Sequence, residues 1–103
     1  MKQISTNKLK ALLSNDPSTL LIDVREKEEF ELGHIPSAKN IPLSDIEDYS
    51  DNLPTDKPIY FICKSGNRSA HAVSLLDDLD IKSGVNIRGG MLSWDGNIEK
   101  NCV

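Results

Sequence analysis

Apolar residues follow two alternating rhythms along the chain. In STNKLKALLSN, residues 5–15, Leu9, Leu12 and Leu13 fall at helical spacing behind Ser5 or Thr6 as N-cap, which predicts a short amphipathic helix. Asp16 and Pro17 end it. STLLIDV, residues 18–24, is a short apolar run with β-branched members, the pattern of a buried strand in a parallel sheet. REKEEFELG, residues 25–33, predicts a brief polar helix stopped by Gly33. HIPSAKNIP, residues 34–42, carries two prolines and leaves room only for a short extended piece around Lys39 to Ile41. LSDIEDYSDNLP, residues 43–54, predicts another short helix, closed by Pro54.

KPIYFIC, residues 57–63, is the strongest strand signal in the chain. From Arg68 onward, Ala72, Val73, Leu75, Leu76 and Leu79 share one helical face, with Asp77, Asp78 and Asp80 mostly on the other. GVNIRGG, residues 84–90, predicts a last short strand, and MLSWDGNIEKNCV a helical or irregular tail. Strand and helix alternate, which predicts an α/β fold with a mainly parallel sheet and helices on both faces. In such sheets ligands bind where strands end and helices begin. Cys63 lies at such a point, after the most apolar strand.

At 103 residues the chain fits a single domain, 1–103. Hydrophobic residues at 38 % and charged residues at 27 % describe a soluble globular protein, not a disordered one. No apolar stretch approaches the roughly 18 residues of a membrane span. MKQISTNKLKALLSN has no unbroken apolar core and no small-residue cleavage site, so no signal peptide is read there and a cytoplasmic location is expected. Two cysteines, Cys63 and Cys102, make no disulfide framework, and a reducing compartment keeps both as thiols. His34 and His71 lack the close Cys/His pairing of a zinc site, so neither metal nor other cofactor is expected.

The net charge of −4 argues against nucleic acid or an anionic membrane as the main partner. The charge is uneven, however. Acidic residues crowd REKEEFE and DIEDYSD, whereas Lys64 and Arg68 flank Cys63 with no carboxylate before Asp77. A cysteine just before a helix N-terminus meets unpaired amides and the positive end of the helix dipole. Such settings lower a thiol pKa from about 8.5 to between about 3.5 and 7.5, which makes a thiolate nucleophile. Gly66 lets the loop turn its amides inward, and Ser65, Asn67 or Ser69 can cap the helix or donate to an oxyanion. The plain alternative is a small buried hydrophobe at a strand end.

Three blocks resemble the rhodanese family: LIDVREKEEFELGHIPSAKNIP at 21–42, CKSGNRS at 63–69 and GGMLSW at 89–94. They stand in the family's order and spacing over nearly the whole chain. Ser37 departs from the glycine common in the family's GHIPGA turn. The resemblance implies a three-layer α/β/α fold with a five-stranded, mainly parallel sheet. It also implies a sulfurtransferase in which Cys63 holds a sulfane sulfur as a persulfide. The amides of residues 64–68 would stabilise the terminal sulfur, and Lys64 and Arg68 would attract an anionic donor such as thiosulfate. Ser65, Gly66, Asn67 and Ser69 complete the expected substrate loop. The implied acceptor is cyanide or a thiol, including that of a partner protein in a sulfur relay.

Two other readings stay open. A regulatory or binding module would keep the fold without turnover, although inactive members of the family typically lack the loop cysteine. Related phosphatases and arsenate reductases carry Cys-x5-Arg, whereas Cys63 to Arg68 is Cys-x4-Arg. Of the remaining candidates, Asp23 and Arg25 read as an ion pair or loop brace at the end of the second strand. His34 reads as a packing residue, His71 as a solvated or partly buried helix residue, and Trp94 as a core residue. Gly89 and Gly90 after Arg88 allow a tight turn, with their backbone able to form part of the site's rim. Cys102 could resolve a persulfide or be a terminal cysteine without a role.

Overall fold

A computed structural model describes residues 1–101 of the chain. The runs LLID, IYFI and GVNIR form β2 (Leu20–Asp23), β4 (Ile59–Ile62) and β5 (Gly84–Arg88). They are largely apolar on both faces, as strands covered from two sides must be. β3 is only Lys39–Asn40, and β1 is Gln3–Ser5. The strand order is β1-β5-β4-β2-β3, and every pair is parallel.

The residue pattern marks four extended segments, and β1 is the fifth. QIS is too short and polar to stand out alone. Its place comes from pairing with β5, Gln3 opposite Asn86 and Ser5 opposite Arg88.

Helices cover both faces. On one side, α3 (Ile46–Tyr49) and α4 (Asn67–Asp78) pack Ile46, Ala72, Val73 and Leu76 against Ile22, Ile59 and Phe61. On the other, α1 (Thr6–Asn15) and α5 (Gly90–Ser93) bring Leu9 and Met91 against Leu21, Ile62 and Ile87. The result is three layers with β4 in the middle of the sheet. Ser5 is the N-cap of α1, its Oγ accepting the Lys8 amide at 3.1 Å. Thr6 instead ties α1 to α5, its hydroxyl donating to the Ser93 carbonyl at 3.1 Å.

Three expectations need correction. The helix expected over 43–54 is broken into a 3₁₀ turn (Leu43–Asp45), the single turn α3 and a second 3₁₀ turn (Ser50–Asn52). Ser50 explains part of this, because its hydroxyl takes the Glu47 carbonyl at 2.7 Å. Leu79 is the C-cap residue of α4 and stands 43 % exposed, off the buried face. The polar helix expected from Arg25 begins later, as α2 (Lys27–Leu32), with Gly33 as its C-cap. Glu26 is its N-cap, and Glu29 closes a capping box by accepting the Glu26 amide at 3.1 Å.

Asp23, Ile62 and Arg88 end β2, β4 and β5 on one edge of the sheet. The chain leaves β4 between the segments that follow β2 and β5. No helix among the described residues is long and apolar enough to cross a membrane.

Candidate active site

Cys63 follows β4 directly and is buried, 1 % exposed. The loop after it is shaped by its carbonyls. Those of Cys63 and Lys64 point at α5 and accept the amides of Met91 at 2.8 Å and Leu92 at 3.0 Å. Gly90 makes this approach possible. It sits at φ 57°, and a Cβ there would lie 2.4 Å from the Cys63 carbonyl oxygen. With two carbonyls drawn away, the following amides face the sulfur. Gly66, at φ 107°, is the N-cap of α4, and its amide donates to Cys63 Sγ at 3.1 Å.

Ser69, on the first turn of α4, is fully buried with its Oγ 3.3 Å from Cys63 Sγ. The same hydroxyl lies 2.5 Å from Oδ1 of Asn86, a buried residue of β5. Burial pushes the Cys63 thiol up. The Ser69 hydroxyl and the amides of Ser69, Gly66 and Ser65 outweigh it, so the thiol ionises below its ordinary range. Hydroxyl and amide donors thus lower the thiol, and the charge of the Cys63 thiolate in turn helps keep Arg68 protonated.

Arg68, expected to attract an anionic donor, has a carboxylate partner. Its guanidinium grips Glu29 of α2 in a bidentate pair, Nη1 to Oε1 at 2.6 Å and Nη2 to Oε2 at 2.9 Å. The Arg68 bonds pull the Glu29 carboxyl down to about 2, and Glu29 in turn holds Arg68 charged. Both side chains remain about one-third exposed, at 36 % and 33 %.

A second, deeper pair sets α2 in place. Asp23 is fully buried, and Arg25 reaches both its oxygens with Nε at 3.0 and 3.1 Å and Oδ2 with Nη2 at 2.8 Å. Arg25 also donates to the carbonyls of Glu29 at 3.3 Å and Gly33 at 2.8 Å, fastening the middle of α2 and its C-terminal end. The brace expected of Asp23 and Arg25 is thus a brace for the helix that carries Glu29.

The other candidates are apart from the sulfur. Lys64, Ser65 and Asn67 turn their side chains to solvent, and no side chain caps α4, since Gly66 holds the cap position. His34 is buried, stacked on Phe30 at 3.7 Å with Nδ1 2.7 Å from the Phe30 carbonyl oxygen. His71 and Arg88 are exposed. Trp94 is half-buried against the α1 and α5 side of the core. Cys102 lies outside the described residues. Among those residues, no group of three or more His, Cys, Asp or Glu side chains is gathered to hold a metal.

The profile of the rhodanese-like domain matches residues 5–97, nine-tenths of the chain. The chain belongs to the rhodanese-like domain family. A Bacillus subtilis protein named "Putative sulfurtransferase YtwF" is 44 % identical over 96 residues, covering 93 % of this chain and 92 % of that one. Another from the same bacterium, named "Putative sulfur carrier protein YrkF", is 37 % identical over 97 residues, covering 94 % of this chain and 52 % of its own. The crystal structure of a rhodanese-like domain protein from Staphylococcus aureus superposes with a TM-score of 0.89 at 38 % identity, covering 97 % and 98 % of the two chains.

Within this rhodanese-like domain, Glu29, Asn86 and two main-chain amides contribute to the site without being singled out by the residue pattern. Glu29 was hidden in an acidic run that reads as a solvated face. Asn86 did leave a signal, a lone polar residue inside an otherwise buried strand. The amides of Met91 and Leu92 left none, because any residue carries a backbone amide.

Proposed function

We propose that this rhodanese-like domain is a sulfurtransferase that carries a sulfane sulfur on Cys63 as a persulfide. The observation that carries the reading is the Cys63 sulfur itself, buried, acidified, and faced by the Gly66 amide and the Ser69 hydroxyl. A thiolate in that position attacks the outer sulfur of thiosulfate, forming Cys63–S–S⁻ and releasing sulfite. With a persulfide donor, R–S–S⁻, the leaving group is the thiolate R–S⁻. A second nucleophile then takes the terminal sulfur: cyanide leaves as thiocyanate, and a thiolate leaves as its own persulfide. Cys63 returns to the thiolate in either case.

The names of the relatives support sulfur transfer, and the sulfur carrier among them supports a protein partner as acceptor or donor. Lys64, Ser65 and Asn67 form the rim that meets such a partner, while Gly66, Ser69 and the loop amides hold the sulfur. The short Cys-x4-Arg loop suits one sulfur better than a tetrahedral oxyanion.

The test is the intact mass of the reduced protein before and after thiosulfate or cysteine persulfide, beside Cys63→Ser. A gain of one sulfur, removed by cyanide as thiocyanate and absent in the variant, is the expected result. No gain with either donor on a folded protein would overturn the reading.

A further inference from the structure

We propose that Glu29 sets the donor preference of the site: by occupying Arg68 it disfavours dianionic donors such as thiosulfate relative to persulfides. The proposal rests on the sulfurtransferase reading above and names the substrate class within it.

Arg68 is five residues beyond Cys63, and its free guanidinium would be the natural seat for an anion. Both of its outer nitrogens are instead spent on one carboxylate, at 2.6 and 2.9 Å. The pair is built in rather than casual. Glu29 Oε1 also closes the α2 capping box, the Glu29 carbonyl accepts from Arg25, and Arg25 is locked on buried Asp23. With its carboxyl held down to about 2, Glu29 stays charged throughout the pH range in which a thiolate forms. An approaching anion therefore meets a neutral pair where the loop alone would offer a cation. Lys64 remains, but its exposed ammonium is hydrated and screened.

The loss falls unequally on donors. Thiosulfate carries two charges and a persulfide anion one, so removal of a nearby cation costs the first about twice as much Coulomb energy. What the site keeps is the ring of amides and the Ser69 hydroxyl at a single sulfur, which either donor can use.

The experiment compares wild type, Glu29→Gln, Arg68→Ala and the double variant with thiosulfate and with cysteine persulfide. Glutamine keeps the shape of Glu29 and its capping acceptor while removing the charge. In Glu29→Gln, KM for thiosulfate should fall about threefold to tenfold with kcat little changed, while kcat/KM for the persulfide rises only by about the square root of that factor, about twofold to threefold. The gain should vanish in the double variant. Equal changes with both donors, or none, would overturn the proposal.

A second measurement compares the wild type with the double variant. Both keep the exposed cations Lys64 and Arg88, so kcat/KM for thiosulfate should depend on ionic strength equally in the two if Glu29 cancels the charge of Arg68. A steeper fall in the wild type would overturn the proposal even if Glu29→Gln alone failed to fold. If the wild type gains no sulfur from either donor, the sulfurtransferase reading and this one fall together. If it loads from both and the donor ratio ignores Glu29, only the role of Glu29 falls.

Discussion

The hydroxyl of Ser69 stands between two groups that both need its single hydrogen, Cys63 Sγ at 3.3 Å and Asn86 Oδ1 at 2.5 Å. While the thiol is protonated, Ser69 can donate to Asn86 and accept from sulfur. Once sulfur is a thiolate, the hydrogen must turn to it, and two oxygens 2.5 Å apart would be left facing each other without one. Rotation of the Asn86 amide resolves this, because its NH₂ then donates to Ser69. Ionisation of Cys63 is thus linked to the orientation of an amide on the neighbouring strand.

An aspartate at position 86 has no NH₂ to offer. Asn86→Asp should raise the Cys63 pKa and slow alkylation at neutral pH. The thiolate absorbance followed against pH checks it. An unshifted titration would mean that the loop amides alone set the acidity.

Gly90 should tolerate no side chain. In Gly90→Ala the new methyl would press on the Cys63 and Lys64 carbonyl oxygens, at 2.4 and 2.6 Å, from a left-handed backbone. A loss of at least ~2 kcal/mol in urea unfolding is expected, together with reduced sulfur loading of Cys63. Gly33→Ala, where the nearest atom is 3.5 Å away on the Ile98 side chain, is the milder comparison.

Arg25→Met removes the partner of a fully buried carboxylate and frees the carbonyls of Glu29 and Gly33. The expected cost is about 3–5 kcal/mol, read by chemical denaturation. Replacing Asp23 and Arg25 together by apolar residues should recover part of it.

Acid should separate wild type from Glu29→Gln. The folded Glu29 carboxyl titrates at about 2, below its ordinary 4.5, so its ion pair stabilises the fold above pH 4.5 and loses that effect as pH falls towards 2. Because both partners are about one-third exposed, the difference between the proteins should be only about 1 kcal/mol at neutral pH. It should shrink through that acid window in thermal melts. A constant difference would assign the effect to packing.

The residues most legible in the sequence were those whose role is written in their own type. IYFI announces a covered strand, and a cysteine between it and a helix start announces a candidate nucleophile. Ser5 as cap and Asp23 with Arg25 as brace follow from short-range chemistry in the same way. What stayed hidden depends on distant partners. Glu29 looks like any exposed acid until α2 is laid beside α4, and Gln3–Ser5 is a strand only because β5 is there to pair with it. The alternation of strand and helix gives the layers in outline, but the five-stranded sheet is implied only by the resemblance, since periodicity shows which faces are apolar but not which strands are neighbours.

The contacts from Met91 and Leu92 to the Cys63 and Lys64 carbonyls are made entirely by main chain, and the Gly66 donor to the sulfur is a main-chain amide. The side chains at 64, 65 and 67 point away into water and take no part in holding that geometry. Mutation can therefore redraw the rim while the seat of the sulfur stays fixed. Such a loop can acquire new associates one surface residue at a time without relearning its chemistry.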